Sequence, residues 1–226
     1  MTIKSRIAAG EPVVAVNVGG ANPDIMEALQ RFGADLAFID CERSGIGLEA
    51  ATDLIRAARA CHLPALVRSW SSEPAVLVQY LDRKADGIVV PHVDNAEQAA
   101  EVVELVRYAC GPVATQKLVV VQIETRNAVE SVDAMARVEG VDVYLIGPND
   151  LAYDLTGTRG ARTPQTEQAI DHVAARLTAA GRRFGMPSRL EELSRFRARG
   201  CTFLYYPVEW LLEGALAELL PALRRF

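Results

Sequence analysis

Absences frame the 226-residue sequence. No run of like charges stands out, and the formal net charge is −5. A nucleic-acid partner needs a concentrated basic surface to displace counterions from phosphates, so none is expected. The pairs Arg182-Arg183 and Arg224-Arg225 are too small to change that. None of the four cysteines, Cys41, Cys61, Cys110 and Cys201, stands in a C-x-x-C pair, which argues against structural zinc. They read as free thiols of a reduced, cytoplasmic protein. No apolar run reaches the length of a membrane span, and the opening MTIKSRIAAGEP has no apolar signal-peptide core. Neither a membrane partner nor secretion is expected. No G-x-G-x-x-G follows the first strand-like run, which counts against a doubly wound dinucleotide-binding sheet. No linker, low-complexity tract or second domain shows.

What is present is ordinary for a folded enzyme-sized chain: 50% hydrophobic and 23% charged residues, enough to build a core and offset ordering entropy. Short β-branched runs alternate with helical patterns. VVAVNV (13–18) precedes a helix pattern at 21–32, with Ile25, Met26, Leu29 and Phe32 on one face. LAFID (36–40) precedes one at 48–60, where Leu48, Ala51, Leu54, Ile55 and Ala58 align. ALVR (65–68) leads to a helix with Pro74 in its first turn, where a proline's missing N–H would be unpaired anyway. GIVVPHV (87–93) leads to a helix capped by Asp94 or Asn95 and running through Arg107. LVVVQIE (118–124) leads to one capped by Asn127 and ending near Arg137. VYLIGP (143–148) is followed by a loop and a long helix at about 165–180. The weak run RFGMPS (183–188) precedes a short helix at 190–198, and TFLYYPV (202–208) precedes a closing helix at 210–224. Near-continuous apolar strands are buried on both faces, as parallel strands are, and parallel strands need crossover helices. Eight such units predict an α/β fold, a (β/α)8 barrel forming one domain over residues 1–226.

In such a barrel the active site lies at the C-terminal strand ends. Strand two ends in Asp40, with Glu42 and Arg43 just beyond; strand three ends in Arg68; strand four carries His92; strand five ends in Gln122 and Glu124; strand six runs into Gly147, Pro148, Asn149 and Asp150. Glu124 and Asp150 follow neighbouring strands and can converge on one hard divalent ion, leaving positions open for substrate oxygens. Alternatively they cap helices or pair with arginines. Arg68 offers a planar, permanently charged fork to carboxylate or enolate oxygens, or forms an ion pair with Asp40 or Glu42. Gln122 shares a strand face with Glu124. His92 is a candidate general base, or a structural residue. Trp70, two residues past Arg68, walls the mouth or simply packs.

The run VVVQIETRNAVESVDAMARVEGVDVYLIGPNDLAYDLTG closely resembles the metal-dependent class II pyruvate aldolases of the HpcH/HpaI family, those acting on 4-hydroxy-2-oxoheptanedioate and 2-dehydro-3-deoxyglucarate. LAFIDCERS, PALVRSWSSEP and GIVVPHVDNAEQA resemble it too, in the same order, over nearly the whole chain. The resemblance implies a (β/α)8 barrel and a homo-oligomer, from dimer to hexamer, whose dimers exchange the C-terminal helix. It implies Glu124 and Asp150 as ligands of Mg²⁺, Mn²⁺ or Co²⁺, and Arg68 as the group that binds a 2-oxo acid and stabilises its enolate. Gln122 then contacts pyruvate, Pro148 and Asn149 belong to the substrate pocket, and Asp40 partners a catalytic histidine. The partners implied are a 2-oxo acid, such as pyruvate or oxaloacetate, and an aldehyde or other electrophile.

Two departures stand out. The family's D-x-E-H reads Asp40-Cys41-Glu42-Arg43 here, and arginine cannot shuttle a proton. Between ELVRYACGP and LVVVQIET only residues 113–117 remain of a longer substrate-closing loop. Enolate stabilisation is therefore expected to persist with rebuilt acid–base work, Arg43 being free to bind an extra carboxylate or phosphate. The expected activity is that of a metal-dependent carbon–carbon lyase. A citrate-synthase-type condensing enzyme of a siderophore pathway and a non-catalytic barrel that keeps metal and oxo-acid binding are the alternatives.

Overall fold

The computed structural model describes residues 1–224; Arg225, half of the Arg224-Arg225 pair, lies outside them. Eight parallel strands close in sequence order into one barrel, β1 (Val13–Asn17) pairing with both β2 (Leu36–Asp40) and β8 (Phe203–Pro207). Between lie β3 (Ala65–Arg68), β4 (Gly87–Val90), β5 (Leu118–Ile123), β6 (Val143–Ile146) and β7 (Phe184–Pro187). After α1 (Ile3–Ala9), the crossovers are α2 (Asp24–Arg31), α3 (Leu48–Ala60), α4 (Pro74–Asp82), α5 (Ala96–Cys110), the pair α6 (Arg126–Glu130) and α7 (Val132–Met135), α8 (Pro148–Thr156) with α9 (Pro164–Ala179), and α10 (Leu193–Ala198). α11 (Val208–Leu223) follows β8. The expected (β/α)8 barrel is the observed fold. Among the described residues no helix is long and apolar enough to cross a membrane.

Strand side chains alternate between faces, so each strand feeds two cores. Val13 and Ala15 of β1, Leu36 and Phe38 of β2, and Leu118 and Val120 of β5 fill the barrel interior. Their neighbours Val16, Ala37, Ile39 and Val121 pack outward against the helices. Fully burying a side chain such as Phe38 or Ile39 stabilises the fold by about 1.5–3 kcal/mol. Continued upward, the inward alternation reaches Asn17, Asp40, Arg68 and Gln122. The interior is thus apolar at its base and polar at its mouth. α1, absent from the sequence reading, closes the base: Ile7 joins the interior core, and Lys4 Nζ donates to Asp142 (2.8 Å) and to the Lys117 carbonyl (2.5 Å). Thr2 caps α1 by accepting from the Ser5 N–H.

Several local expectations need correction. The helix after β5 is capped by Thr125, whose hydroxyl accepts from the Ala128 N–H, while Asn127 lies inside its first turn. That segment is two short helices meeting at Ser131, and Arg137 lies beyond them. Asn95, rather than Asp94, caps α5. Residues 149–156, read as loop, form α8 together with Pro148 from the end of the sixth run: Pro148 occupies the first turn, and Pro148, Leu151 and Ala152 are its buried residues. β4 ends at Val90, because His92 takes a left-handed φ of 55°, which a strand cannot contain. The helix expected at 190–198 opens with a 3₁₀ turn at Leu190–Glu192. Of the short connection at 113–117, residues 113–116 lie in a 3₁₀ turn, Gly111–Gln116, and Lys117 follows it in extended conformation. Cys41 and Cys201 are buried free thiols, and Cys61 and Cys110 are half-buried free thiols.

Candidate active site

The mouth of the barrel opens into a cavity of about 540 Å³ whose wall includes Asn17, Asp40, Arg43, Arg68, Gln122 and Tyr205. Pro148, Asn149 and Asp150, from the start of α8, complete the side beyond the end of β6. The polar groups form a chain of contacts from strand to strand. Asp40 is buried and accepts from Arg68 Nε at 2.9 Å and Nη2 at 2.6 Å. It also accepts from the backbone N–H groups of Glu42 and Arg43, both at 3.1 Å, which turns the β2 exit loop back over the site. Burial opposes the Arg68 charge, but the hydrogen bonds and negative charge of Asp40 hold its pKa above the ordinary value, so it stays a cation. Arg68 further reaches Gln122 Oε1 at 3.4 Å and lies 3.2 Å from Glu42 Oε2, and its guanidinium stands over the Phe38 ring at 5.7 Å.

Gln122 Nε2 donates to Glu124 Oε2 at 2.6 Å, passing the chain to β5's exit. The other Glu124 oxygen accepts from the His92 backbone N–H at 2.8 Å and lies 3.1 Å from its Nδ1. The left-handed turn at His92, worth about 1–2 kcal/mol of strain for a non-glycine residue, aims both groups at that carboxylate. Burial raises the Glu124 pKa; the His92 N–H and ring pull it back, and the charges of Glu42 and Asp150 push it up further. Gly147 makes room for this arrangement, since a Cβ there would stand 2.8 Å from Glu124 Oε2 and 3.3 Å from Gln122 Nε2. Asp150 sits in the first turn of α8, where the helix dipole favours a negative charge. Its Oδ1 receives Arg43 Nη2 at 2.8 Å and Arg159 Nε at 3.3 Å.

The structure therefore brings Asp40, Arg68, Gln122 and Glu124 into one contact chain and links Arg43 to Asp150. Asp150 pairs with arginines, one of the two sequence readings, and Arg68 forms the Asp40 ion pair that was also open. Glu124 caps no helix. His92 touches Glu124, but its ring is more than half exposed and is not part of the cavity wall. Trp70 is 61% exposed and does not wall the mouth; Trp210 does. Sequence reading passed over Asn17 and Tyr205. Both continue the inward alternation of their strands, Asn17 two residues beyond Ala15 and Tyr205 two beyond Phe203, and that period was the available signal. Arg159, in the α8–α9 loop, left no such signal.

Two carboxylates, Asp150 in the cavity wall and Glu124 buried beside Gln122 of that wall, suit a divalent cation whose remaining positions are filled by substrate oxygens and water. Among the described residues no three His, Cys, Asp or Glu side chains are grouped as a complete cage. The donor set nevertheless fits a cation: the charges of Glu42 and Asp150 both bear on the buried Glu124, while Glu42 Oε2, buried without a hydrogen bond, has only the Arg68 guanidinium at 3.2 Å to oppose it. Excess negative charge in a low-dielectric site is what a bound cation neutralises.

Known proteins share this architecture. The HpcH/HpaI aldolase/citrate lyase family model matches residues 14–209. A hydroxypyruvate/pyruvate aldolase of Roseovarius nubinhibens is 30% identical over 96% of this chain and 94% of its own. A family member from Burkholderia cenocepacia superposes with a TM-score of 0.88 at 26% identity, covering 98% of each chain. The citrate synthase SbnG superposes with a TM-score of 0.87 at 26% identity, covering 99% of this chain and 98% of its own. A closed barrel, a charged mouth built at the strand ends and a match over most of its length make this chain a member of the HpcH/HpaI aldolase/citrate lyase family, an enzyme of the aldolase and lyase class.

Proposed function

We propose that the chain is a divalent-metal-dependent aldolase that forms and uses the enolate of a 2-oxo acid such as pyruvate or oxaloacetate. The observation that supports this most is the continuous contact chain Asp40–Arg68–Gln122–Glu124 at the mouth of one cavity, with Asp150 at its edge. Glu124 and Asp150 would hold Mg²⁺, Mn²⁺ or Co²⁺. A cation bound there would act as a Lewis acid on the keto oxygen.

The chain's own groups account for the rest. Arg68, fixed as a cation by Asp40, presents its remaining N–H donors to the oxygen on which enolate charge accumulates. Gln122 orients the same end of the substrate. Pro148 starts α8 without an N–H, so the next backbone donors, of Asn149 and Asp150, are first-turn groups without intrahelical partners and suit a substrate carboxylate. The enolate, formed when pyruvate loses a methyl proton or oxaloacetate loses CO₂, then attacks an aldehyde through its carbon or takes a proton there to give pyruvate.

Deuterium exchange at the pyruvate methyl, followed by NMR with Mn²⁺ or Mg²⁺ and again after chelation, tests this. Metal-dependent exchange is expected. Absence of exchange in the metal-loaded protein overturns the reading, and binding without exchange identifies the non-catalytic barrel. The likeness to the citrate synthase favours one second reading, condensation of oxaloacetate with acetyl-CoA. Thiol release from acetyl-CoA in the presence of oxaloacetate distinguishes it.

A homo-oligomer belongs to the same proposal. No residue of α11 is buried, and its Leu212, Leu219 and Leu223 are 58%, 59% and 66% exposed. A largely apolar groove of about 390 Å³, with Val14, Leu193, Phe196 and Leu204 in its wall, lies open on the outside of the barrel. The α11 leucines of a second copy suit that groove, because contiguous exposed apolar surface marks an interface.

A further inference from the structure

We propose that the Tyr205 hydroxyl is the catalytic acid that protonates the acceptor's carbonyl oxygen as the new carbon–carbon bond forms. The inference rests on the aldolase reading above and assigns the acid for its second half-reaction.

Tyr205 projects from β8 into the cavity that holds Arg68, Gln122 and Asn149. Its ring is locked edge-on against Phe38, centroids 4.8 Å apart at 81°, and the guanidinium of Arg68 stands over the same Phe38 ring. Phenol and guanidinium are thus neighbours at the mouth.

The direction of the hydroxyl proton follows from Asn17. The Gly19 backbone N–H donates to Asn17 Oδ1 at 3.0 Å, which fixes the amide with its NH₂ turned inward. Asn17 Nδ2 then donates to Tyr205 Oη at 2.6 Å. An amide NH₂ accepts nothing, so the Tyr205 proton is not on Asn17. Among the described residues it has no other acceptor, and the remaining free direction is the cavity.

Other groups around the mouth are poor proton donors. Arg43 and Arg68 do not give up a proton at any usable pH. The Ser44 hydroxyl already donates to the Asp40 carbonyl, and Asp40 is clamped by Arg68. The His92 ring lies on Glu124, outside the cavity wall. Burial keeps Tyr205 protonated, so it faces an incoming substrate as a neutral donor.

The step balances without a further reagent. The enolate carbon attacks the carbonyl carbon, and the C=O π pair moves to oxygen. The Tyr205 O–H bond breaks and its proton goes to that oxygen. The phenolate left behind keeps the Asn17 hydrogen bond and the nearby Arg68 charge, and takes a proton from water at the open mouth.

Tyr205→Phe tests the assignment, because it keeps the ring packing and removes only the hydroxyl. The two half-reactions are read separately: methyl exchange of pyruvate, and addition of pyruvate to whichever of formaldehyde, glycolaldehyde, glyoxylate or succinic semialdehyde the parent uses best. Exchange within about twofold of the parent is expected, with addition slowed on the order of 10²-fold or more through kcat. Addition retained, or exchange and addition lost by the same factor, overturns the assignment. So does a parent that exchanges the methyl but adds to none of the four aldehydes. A parent without exchange overturns the aldolase reading itself. Replacing Tyr205 by a fluorinated tyrosine supplies a readout that a structural role would not move. The high-pH fall in addition rate should shift to lower pH with the more acidic phenol, and an unshifted limb counts against the proposal. The charged groups that bear on Tyr205 are Asp40 from β2, Arg68 from β3 and Glu209 from α11, and none of them is changed in that comparison.

Discussion

Arg68 grips both oxygens of Asp40, Nε to Oδ1 at 2.9 Å and Nη2 to Oδ2 at 2.6 Å, at the adjacent ends of two paired strands. The fork-to-fork geometry joins β2 to β3 and sets the plane of a guanidinium that is only 11% exposed. Asp40→Ala would take both fork contacts from that buried cation and leave it only Glu42 Oε2 at 3.2 Å, so the variant is expected to lose about 3 kcal/mol in urea unfolding. Arg68→Lys keeps the charge but not the fork. It should fold, and its pyruvate exchange rate should drop by on the order of 10²-fold. Unchanged exchange in the lysine variant would detach Arg68 from the chemistry.

Cation binding should appear as stabilisation. With free metal at about 100 times its dissociation constant, the protein should gain about 2.7 kcal/mol, read as a rise in melting temperature on adding Mn²⁺. Glu124→Gln and Asp150→Asn should each abolish most of the rise. A full rise in both variants places the ion elsewhere.

Glu124 makes the metal-free protein sensitive to pH in a stated direction. Its native pKa is raised, chiefly by burial, so the folded chain holds that proton more tightly than the unfolded chain. Between the ordinary carboxylate value, about 4.3, and the raised one, stability falls as pH rises. Glu124→Gln removes the titration. In chelator, the stability of the variant minus that of the parent should therefore increase with pH across this window and be flat above it. A difference that is constant with pH would refute the prediction.

Arg43 occupies the exit of β2 and holds Asp150 at 2.8 Å. Arg43→His replaces a fixed charge with a group that titrates near 6.5. The rate of pyruvate exchange should acquire an inflection near that pH and rise on the order of tenfold above it, where the imidazole is a free base. A pH profile identical to the parent's would show that this position does not face the reacting carbon.

The α11 surface predicts its own assembly. Light scattering should find a homo-oligomer, and Leu212→Glu with Leu219→Glu should reduce its mass to that of one chain while the far-ultraviolet spectrum stays barrel-like. An unaltered mass would exclude these leucines from the interface.

The strands were legible because their chemistry is local. LAFID, ALVR and LVVVQI are apolar and β-branched enough that burial on both faces is their only comfortable state, and a helix pattern between each pair demands parallel crossovers. The sites Asp40, Arg68, Gln122 and Glu124 stood out for a related reason: each is a polar residue where an apolar strand ends. Short elements such as α1 and α8 were missed because two or three anchoring residues leave too weak a period to read.

The sequence by itself determined the eight-unit barrel and the side chains at its rim, since alternation along one strand needs no knowledge of any other. Only the tertiary structure decided which rim groups meet. The pairing of Asp150 with Arg43 and Arg159, the aim of His92 at Glu124 and the hydrogen bond from Asn17 to Tyr205 each join residues from different strands or loops. Closing β8 onto β1 puts Tyr205 within reach of an amide 188 positions away, and no local pattern encodes a contact made by ring closure.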